Sequence, residues 1–255
     1  MIADQDPCTH DSLFDGALFC LQPRKGYRFS LDAVLLGHFV SPGPRPLILE
    51  LGAGCGIVSL ILAYLHPGAR ITALELQPGL LELLKKNIEL NRFSKRVIGM
   101  RGDLRNIAEL LPAESFDLVL SNPPYRKEAT GRKNLLSEQA IARHEISATL
   151  SEVIAAASFA LKKKGRLAMV YPSARGAGLF YELRKEGLEP KRLQVVYSFP
   201  GDQGRLLLVE AVKGGGEELI ILPPFFVFRE QGGPYSDEMA ACYQRTSKEG
   251  EKTTA

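Results

Sequence analysis

Ser121-Asn122-Pro123-Pro124-Tyr125 stands at the end of an apolar run, residues 116–120, and the chemistry open to these side chains is narrow. Two consecutive prolines donate no backbone N–H and stop a strand. Proline also holds the residue before it extended, which fixes Asn122 at the strand's carboxyl end. The Asn122 amide oxygen and the Pro123 carbonyl are two acceptors, and Tyr125 adds an aromatic face. Asn122, Pro123, Pro124 and Tyr125 together suit the gripping of a planar amino group. Accepting both of its protons concentrates electron density on nitrogen, and alignment with an electrophile can lower a barrier by about 7–11 kcal/mol. Neither a metal nor a covalent nucleophile is required.

A second stretch, Glu50-Leu51-Gly52-Ala53-Gly54-Cys55-Gly56, links a strand at 47–51 to a helix at 57–65. Glycines there let backbone pass close to a ligand. The dinucleotide fingerprint requires a glycine at position 57, which is Ile57, so the spacing excludes that site. Glu50, two residues before Gly52, faces a cationic or amine-bearing ligand better than a pyrophosphate. Glu75 ends the second strand where a carboxylate can accept from both ribose hydroxyls, and Asp103 follows the third strand where it can accept from an adenine amino group. With Leu51, Ala53, Leu76 and Leu104 beside them, these residues fit S-adenosylmethionine.

The elements that must position these groups alternate strand and helix from Leu47 onward, the pattern of a doubly wound sheet. The apolar spacing predicts strands at 47–51, 70–74 and 96–101, with a helix opening at Pro78 and closing at Asn91. A fourth strand spans 116–121, and a long loop runs to about 148. A capping box at Thr149 and Glu152 opens the next helix, whose last turn is expected to hold Lys162, Lys163 and Lys164 before Gly165. A fifth strand at 167–171 and a helix at 174–185 follow. Strands at 191–197 and 205–212 are joined too tightly for a helix and must pair antiparallel. The fold class is therefore α/β: a doubly wound, seven-stranded, mostly parallel sheet with an antiparallel last strand. Ahead of it, a hairpin at 14–21 and a short helix at 31–40 form an N-terminal extension (12–45) packing on a catalytic domain (46–243). Residues 1–11 and 244–255 read as disordered tails.

Bulk properties agree with one soluble domain: 255 residues, 45% hydrophobic, 24% charged and a net charge of +3. So small a charge means that a nucleic-acid partner meets a local basic face. Arg24, Lys25, Arg28, Arg126, Lys127, Arg132, Lys133, Arg143 and His144 supply one around the site, with Tyr27 and Phe29 for stacking. Four cysteines without a CxxC pair argue against structural zinc and secreted disulfides. No run reaches membrane-span length, and the cytoplasm is the expected compartment.

Through Glu50 to Gly56, Glu75, Asp103 and Asn122-Pro123-Pro124-Tyr125, the sequence resembles the class I S-adenosylmethionine-dependent methyltransferases that act on planar nitrogens. More narrowly, Gly26-Tyr27-Arg28-Phe29-Ser30-Leu31-Asp32-Ala33-Val34-Leu35-Leu36-Gly37 and Ala142-Arg143-His144-Glu145 resemble the bacterial tRNA-valine adenine-37 N6-methyltransferase family. The resemblance implies transfer of a methyl group to adenine N6 in RNA, tRNA foremost, with Ser30 and Asp32 covering the cofactor's methionine end. Tyr27, Arg28, Phe29, Arg126, Lys127, Arg143 and His144 are the implied RNA contacts. N5-methylation of a release-factor glutamine, guanine-N2 methylation of ribosomal RNA and adenine methylation of DNA use related motifs and stay open. So does a non-catalytic RNA-binding protein on the same scaffold. The release-factor enzymes carry a helical domain before the catalytic one, for which the stretch before Leu47 is short.

Overall fold

The computed structural model describes residues 8–24, 30–123 and 148–245. Its first element is a hairpin of β1 (Cys8–Leu13) and β2 (Leu18–Pro23). Asp15 and Gly16 turn it with φ of 51° and 79°, and Ala17 N–H donates to the Phe14 carbonyl at 3.0 Å. Phe14 has a φ of 54° as well, so the loop beyond the last ladder pair, Leu13 and Leu18, is the four residues 14–17. The hairpin thus begins earlier than the expected 14–21, and residues 8–11, expected in a disordered tail, form most of β1. The Asp15-Gly16 pair was the signal for this register.

After α1 (Leu31–Phe39), strand β3 (Leu47–Leu51) leads through α2 (Ile57–Leu65) to β4 (Arg70–Glu75), and α3 (Pro78–Leu90) leads to β5 (Val97–Arg101). A 3-10 turn and the short α4 (Ile107–Leu110) precede β6 (Phe116–Ser121). Then come α5 (Leu150–Ala160), β7 (Leu161–Pro172), α6 (Gly176–Lys185), β8 (Leu188–Tyr197) and β9 (Gly204–Lys213). The sheet order is β8-β9-β7-β6-β3-β4-β5. Strand β9 runs antiparallel to both neighbours, as the short 198–203 connection demanded. The seven expected strands are all present. Two further short ones, β10 (Ile220–Ile221) and β11 (Phe225–Phe226), pair parallel with the outer edge of β8. Pro223 and Pro224 between them hide the pattern from a sequence reading. The chain then forms α7 (Asp237–Ala241), capped by Ser236.

Both sheet faces are covered, which explains why its central strands are almost continuously apolar. Ile48, Leu118, Leu120, Ala168 and Val170 pack with α1, α2, α3 and the hairpin. Leu49, Leu51, Val119, Leu167 and Met169 face the other way, against α5 and α6. The alternation is the two-residue period of a pleated strand. Each fully buried Leu or Ile contributes about 1.5–3 kcal/mol, so the strands beneath the site are firmly anchored on both faces. None of the described helices is long and apolar enough to cross a membrane.

One expectation fails at the end of α5. The helix stops at Ala160, and Lys162, Lys163 and Lys164 belong to an excursion at the start of β7. There the register jumps from Phe116↔Leu161 to Leu118↔Arg166. The reason is a competing partner for the helix's last carbonyls. Glu114 N–H donates to Phe159 O at 3.0 Å and Ser115 N–H to Ala160 O at 2.9 Å, which replaces the capping a lysine-bearing turn would have provided. Lys162 pairs instead with Asp117 at 2.7 Å.

Candidate active site

The chain runs from β3 outward to β5, then crosses back to β6 on the other side of β3. Such a reversal leaves a crevice outside the carboxyl ends of the two strands. Leu51 and Ser121 are direct register partners across β3 and β6, and Ser121 Oγ donates to the Leu51 carbonyl at 3.1 Å. The residues that follow, Gly52 on one strand and Asn122 on the other, therefore leave the sheet at the same level, about 5 Å apart by ordinary strand spacing. The glycine turn and the strand-end amide thus leave the sheet side by side at its carboxyl edge. Pro123 behind Asn122 is buried.

The turn itself is held from β4. Gly52 N–H and Ala53 N–H both donate to the Leu74 carbonyl, at 2.9 and 3.0 Å. Gly54 N–H donates to Glu75 Oε2 at 2.7 Å, and Gln77 N–H to Glu75 Oε1 at 2.8 Å. One buried carboxylate thus fixes both the glycine turn and the entry to α3. A carboxylate has about four acceptor sites, so two remain for ligand hydroxyls. Gly52 is exposed, has a φ of 72°, and a Cβ there would meet nothing within 4 Å. That is open space directly above the turn. Gly56 is the opposite case: its φ is 90° and a Cβ would lie 2.2 Å from Leu84 Cδ1, so α3 packs against bare backbone.

Glu50 is 3% exposed. Its Oε2 accepts from Ser59 N–H at 3.0 Å and from the Ser59 hydroxyl. Burial drives its carboxyl up to about 7, against the pull of the two Ser59 bonds and with a push from Glu75. A cation arriving beside Glu50 would reverse that shift. Asp103 is held differently. Its oxygens accept from Arg105 N–H at 3.0 Å and from the Arg105 guanidinium at 2.6–2.9 Å. Those side-chain bonds to Arg105 keep its carboxyl below the usual range. Leu76 and Leu104 are half-buried, and Ser30 is the exposed N-cap residue of α1, with Asp32 in its first turn.

Geometry thus gathers Glu50, Leu51, Gly52, Ala53, Gly54, Glu75 and Asn122 at one carboxyl edge of the sheet, with Gly56 packed under α3 and Asp103 bound to its own arginine. Pro124, Tyr125, Tyr27, Arg28, Phe29, Arg126, Lys127, Arg143 and His144 lie outside the described residues. Sequence reasoning missed Ser59, which holds Glu50, and Asn87, which reaches the glycine turn from α3. Asn87 carries a legible signal, a polar residue inside the apolar stripe of Leu84 and Ile88.

The open backbone at Gly52, a rigid acid at Glu75 and a buried acid at Glu50 fit S-adenosylmethionine, whose nucleoside and amino-acid ends need acceptors. The sheet and this turn define a Rossmann-like, S-adenosylmethionine-dependent methyltransferase. Residues 32–179 match the family model of the methyltransferase small domain, and the chain belongs to that family. It is 31% identical over 189 residues to the tRNA1(Val) (adenine(37)-N6)-methyltransferase of Porphyromonas gingivalis strain ATCC 33277, covering 72% of this chain and 73% of that one. To the protein of the same name from Shewanella loihica it is 29% identical over 226 residues, covering 86% and 91%. Among solved structures, one described as a predicted O-methyltransferase from Agrobacterium tumefaciens superposes with a TM-score of 0.68 at 22% identity, over 83% of this chain and 95% of that one. At that identity the likeness speaks for the fold.

Proposed function

We propose that this chain methylates the exocyclic N6 of an adenine in tRNA, with position 37 of a valine tRNA as the target that its named relatives favour. The observation that carries this reading is the Leu51↔Ser121 register, which brings Asn122 level with the glycine turn. When bound, S-adenosylmethionine supplies an electrophilic methyl group on a sulfonium sulfur. The chain's own residues do the rest. Glu75 accepts from the ribose hydroxyls while keeping its bonds to Gly54 and Gln77. Glu50 supplies negative charge at the methionine end, with Ser30 and Asp32 covering it, and Asp103 faces the adenine end. Asn122 Oδ1 and the Pro123 carbonyl accept the two N6 protons of the target base, turn its nitrogen lone pair toward the methyl carbon and raise the density there. As the nitrogen gains the methyl it gives up one of those protons to solvent. Tyr125 stacks on the base, offsetting the few kcal/mol needed to unstack it from the RNA.

Target choice is tested with labelled cofactor and two valine-tRNA transcripts, one with adenine and one with guanine at position 37. Label in N6-methyladenosine from the first transcript alone is the expected result. Equal labelling of both, or transfer to a release-factor glutamine instead, would overturn the assignment.

A further inference from the structure

Asn87 sits on α3 with no exposed surface, in a position an apolar residue would ordinarily fill. Its Nδ2 donates to the Cys55 carbonyl of the glycine turn at 2.9 Å and to the Leu21 carbonyl of β2 at 3.0 Å. Its Oδ1 accepts from Leu21 N–H at 2.7 Å. One turn further on, Asn91 repeats the pattern: its Oδ1 accepts from Phe19 N–H at 2.9 Å and its Nδ2 donates to Phe19 O at 2.7 Å. Two side chains four residues apart on a helix thus stand in for a neighbouring strand, pairing alternate residues of β2 on the edge away from β1. Only Asn87 also reaches the cofactor turn. Cys20 Sγ and Cys55 Sγ lie 3.8 Å apart beside it, so hairpin and turn touch at this point. Leu84, one turn earlier on the same face, packs under Gly56.

We propose that Asn87 is a positioning residue: it ties the N-terminal hairpin to the glycine turn and so sets the shape of the cofactor cradle. The inference rests on reading that turn as the S-adenosylmethionine site. A carboxamide is the one side chain of this size that offers two donors and an acceptor together, matching two carbonyls and one N–H. Asn87→Asp keeps the acceptor for Leu21 N–H but turns a charged oxygen on the Leu21 and Cys55 carbonyls. The turn loses its tether while the residue's volume is unchanged.

The experiment compares wild-type, Asn87→Asp and Asn91→Ala chains by calorimetric titration with S-adenosylhomocysteine and by hydrogen exchange at residues 52–57. Asn87→Asp should weaken affinity at least tenfold and speed exchange in the turn, raising KM for the cofactor more than it lowers kcat. Asn91→Ala frees Phe19 without touching Cys55, and affinity should stay within twofold. Equal losses in both variants would mean general loosening of the hairpin and would overturn the proposal, as would unchanged affinity in a folded Asn87→Asp chain. A measurement on wild-type protein covers the case in which that variant fails to fold. Added S-adenosylhomocysteine should slow exchange of the Leu21 amide at least threefold, and no change there would overturn the coupling. If the wild-type chain binds no S-adenosylhomocysteine at all, the reading of the turn itself fails, an outcome distinct from either result.

Discussion

Glu75 ends β4 and Asp103 follows the end of the adjacent parallel strand β5 by two residues, yet they are held in opposite ways. Glu75 is 5% exposed and anchored by two backbone N–H groups. Asp103 lies near the surface, with one backbone N–H from Arg105 and most of its bonds from the flexible Arg105 guanidinium. Backbone partners cannot swing away, so Glu75 presents its remaining lone pairs at fixed positions. Asp103 can exchange arginine for a ligand group at little cost, since exposed ion pairs contribute about 0–1 kcal/mol. The glycine turn and its acid are prebuilt, whereas Asp103, proposed for the adenine end, is held by exchangeable contacts.

The largest expected effect is at the prebuilt end. Gly56→Ala puts a methyl group into Leu84 at a positive φ, and overpacking with backbone strain should destabilise the fold by about 3 kcal/mol. Thermal unfolding should show this, with cofactor binding lost in parallel. Glu75→Gln leaves one of two N–H donors facing an amide nitrogen, a penalty of about 1–3 kcal/mol. Calorimetry should register a 10- to 100-fold loss of affinity for S-adenosylhomocysteine.

Glu50 gives a pH signature. Its folded-state pKa of about 7 lies above the unfolded value near 4.5, so the native state binds the extra proton. Stability from this group is therefore greatest below about pH 4.5 and falls as pH rises toward 7, by on the order of 3 kcal/mol. Glu50→Gln should match the wild type in melting temperature near pH 5 and exceed it at pH 8. A constant difference across that range would break the account. The smallest effect belongs to Asp103→Asn, expected to change stability by about 0.5 kcal/mol or less and cofactor affinity only a few-fold. A loss as large as that of Glu75→Gln would erase the contrast between the two acids.

Where one local rule acts unopposed, the sequence is a good guide. The paired prolines place Asn122 at a strand end, the glycine spacing rejects a dinucleotide, and the short 198–203 link forces β8 and β9 antiparallel. Competition between distant segments is what stays hidden. Lys162, Lys163 and Lys164 look like a helix terminus until Glu114 and Ser115 claim the carbonyls of Phe159 and Ala160. Glu50 looks ligand-facing, and only the fold shows Ser59 bonded to it across the turn. Asp15-Gly16 was readable as a turn, whereas the pairing of β10 and β11 with β8 depends on tertiary contact across two prolines.

If the glycine turn holds the cofactor and Asn122 the target amine, one substitution separates the two tasks. Asn122→Ala tests this division directly, with S-adenosylhomocysteine affinity and methyl transfer to the adenine-37 transcript measured on the same preparation. Affinity should stay within threefold of wild type while transfer falls at least a hundredfold. Transfer at the wild-type rate, or affinity lost as steeply as transfer, would contradict that division.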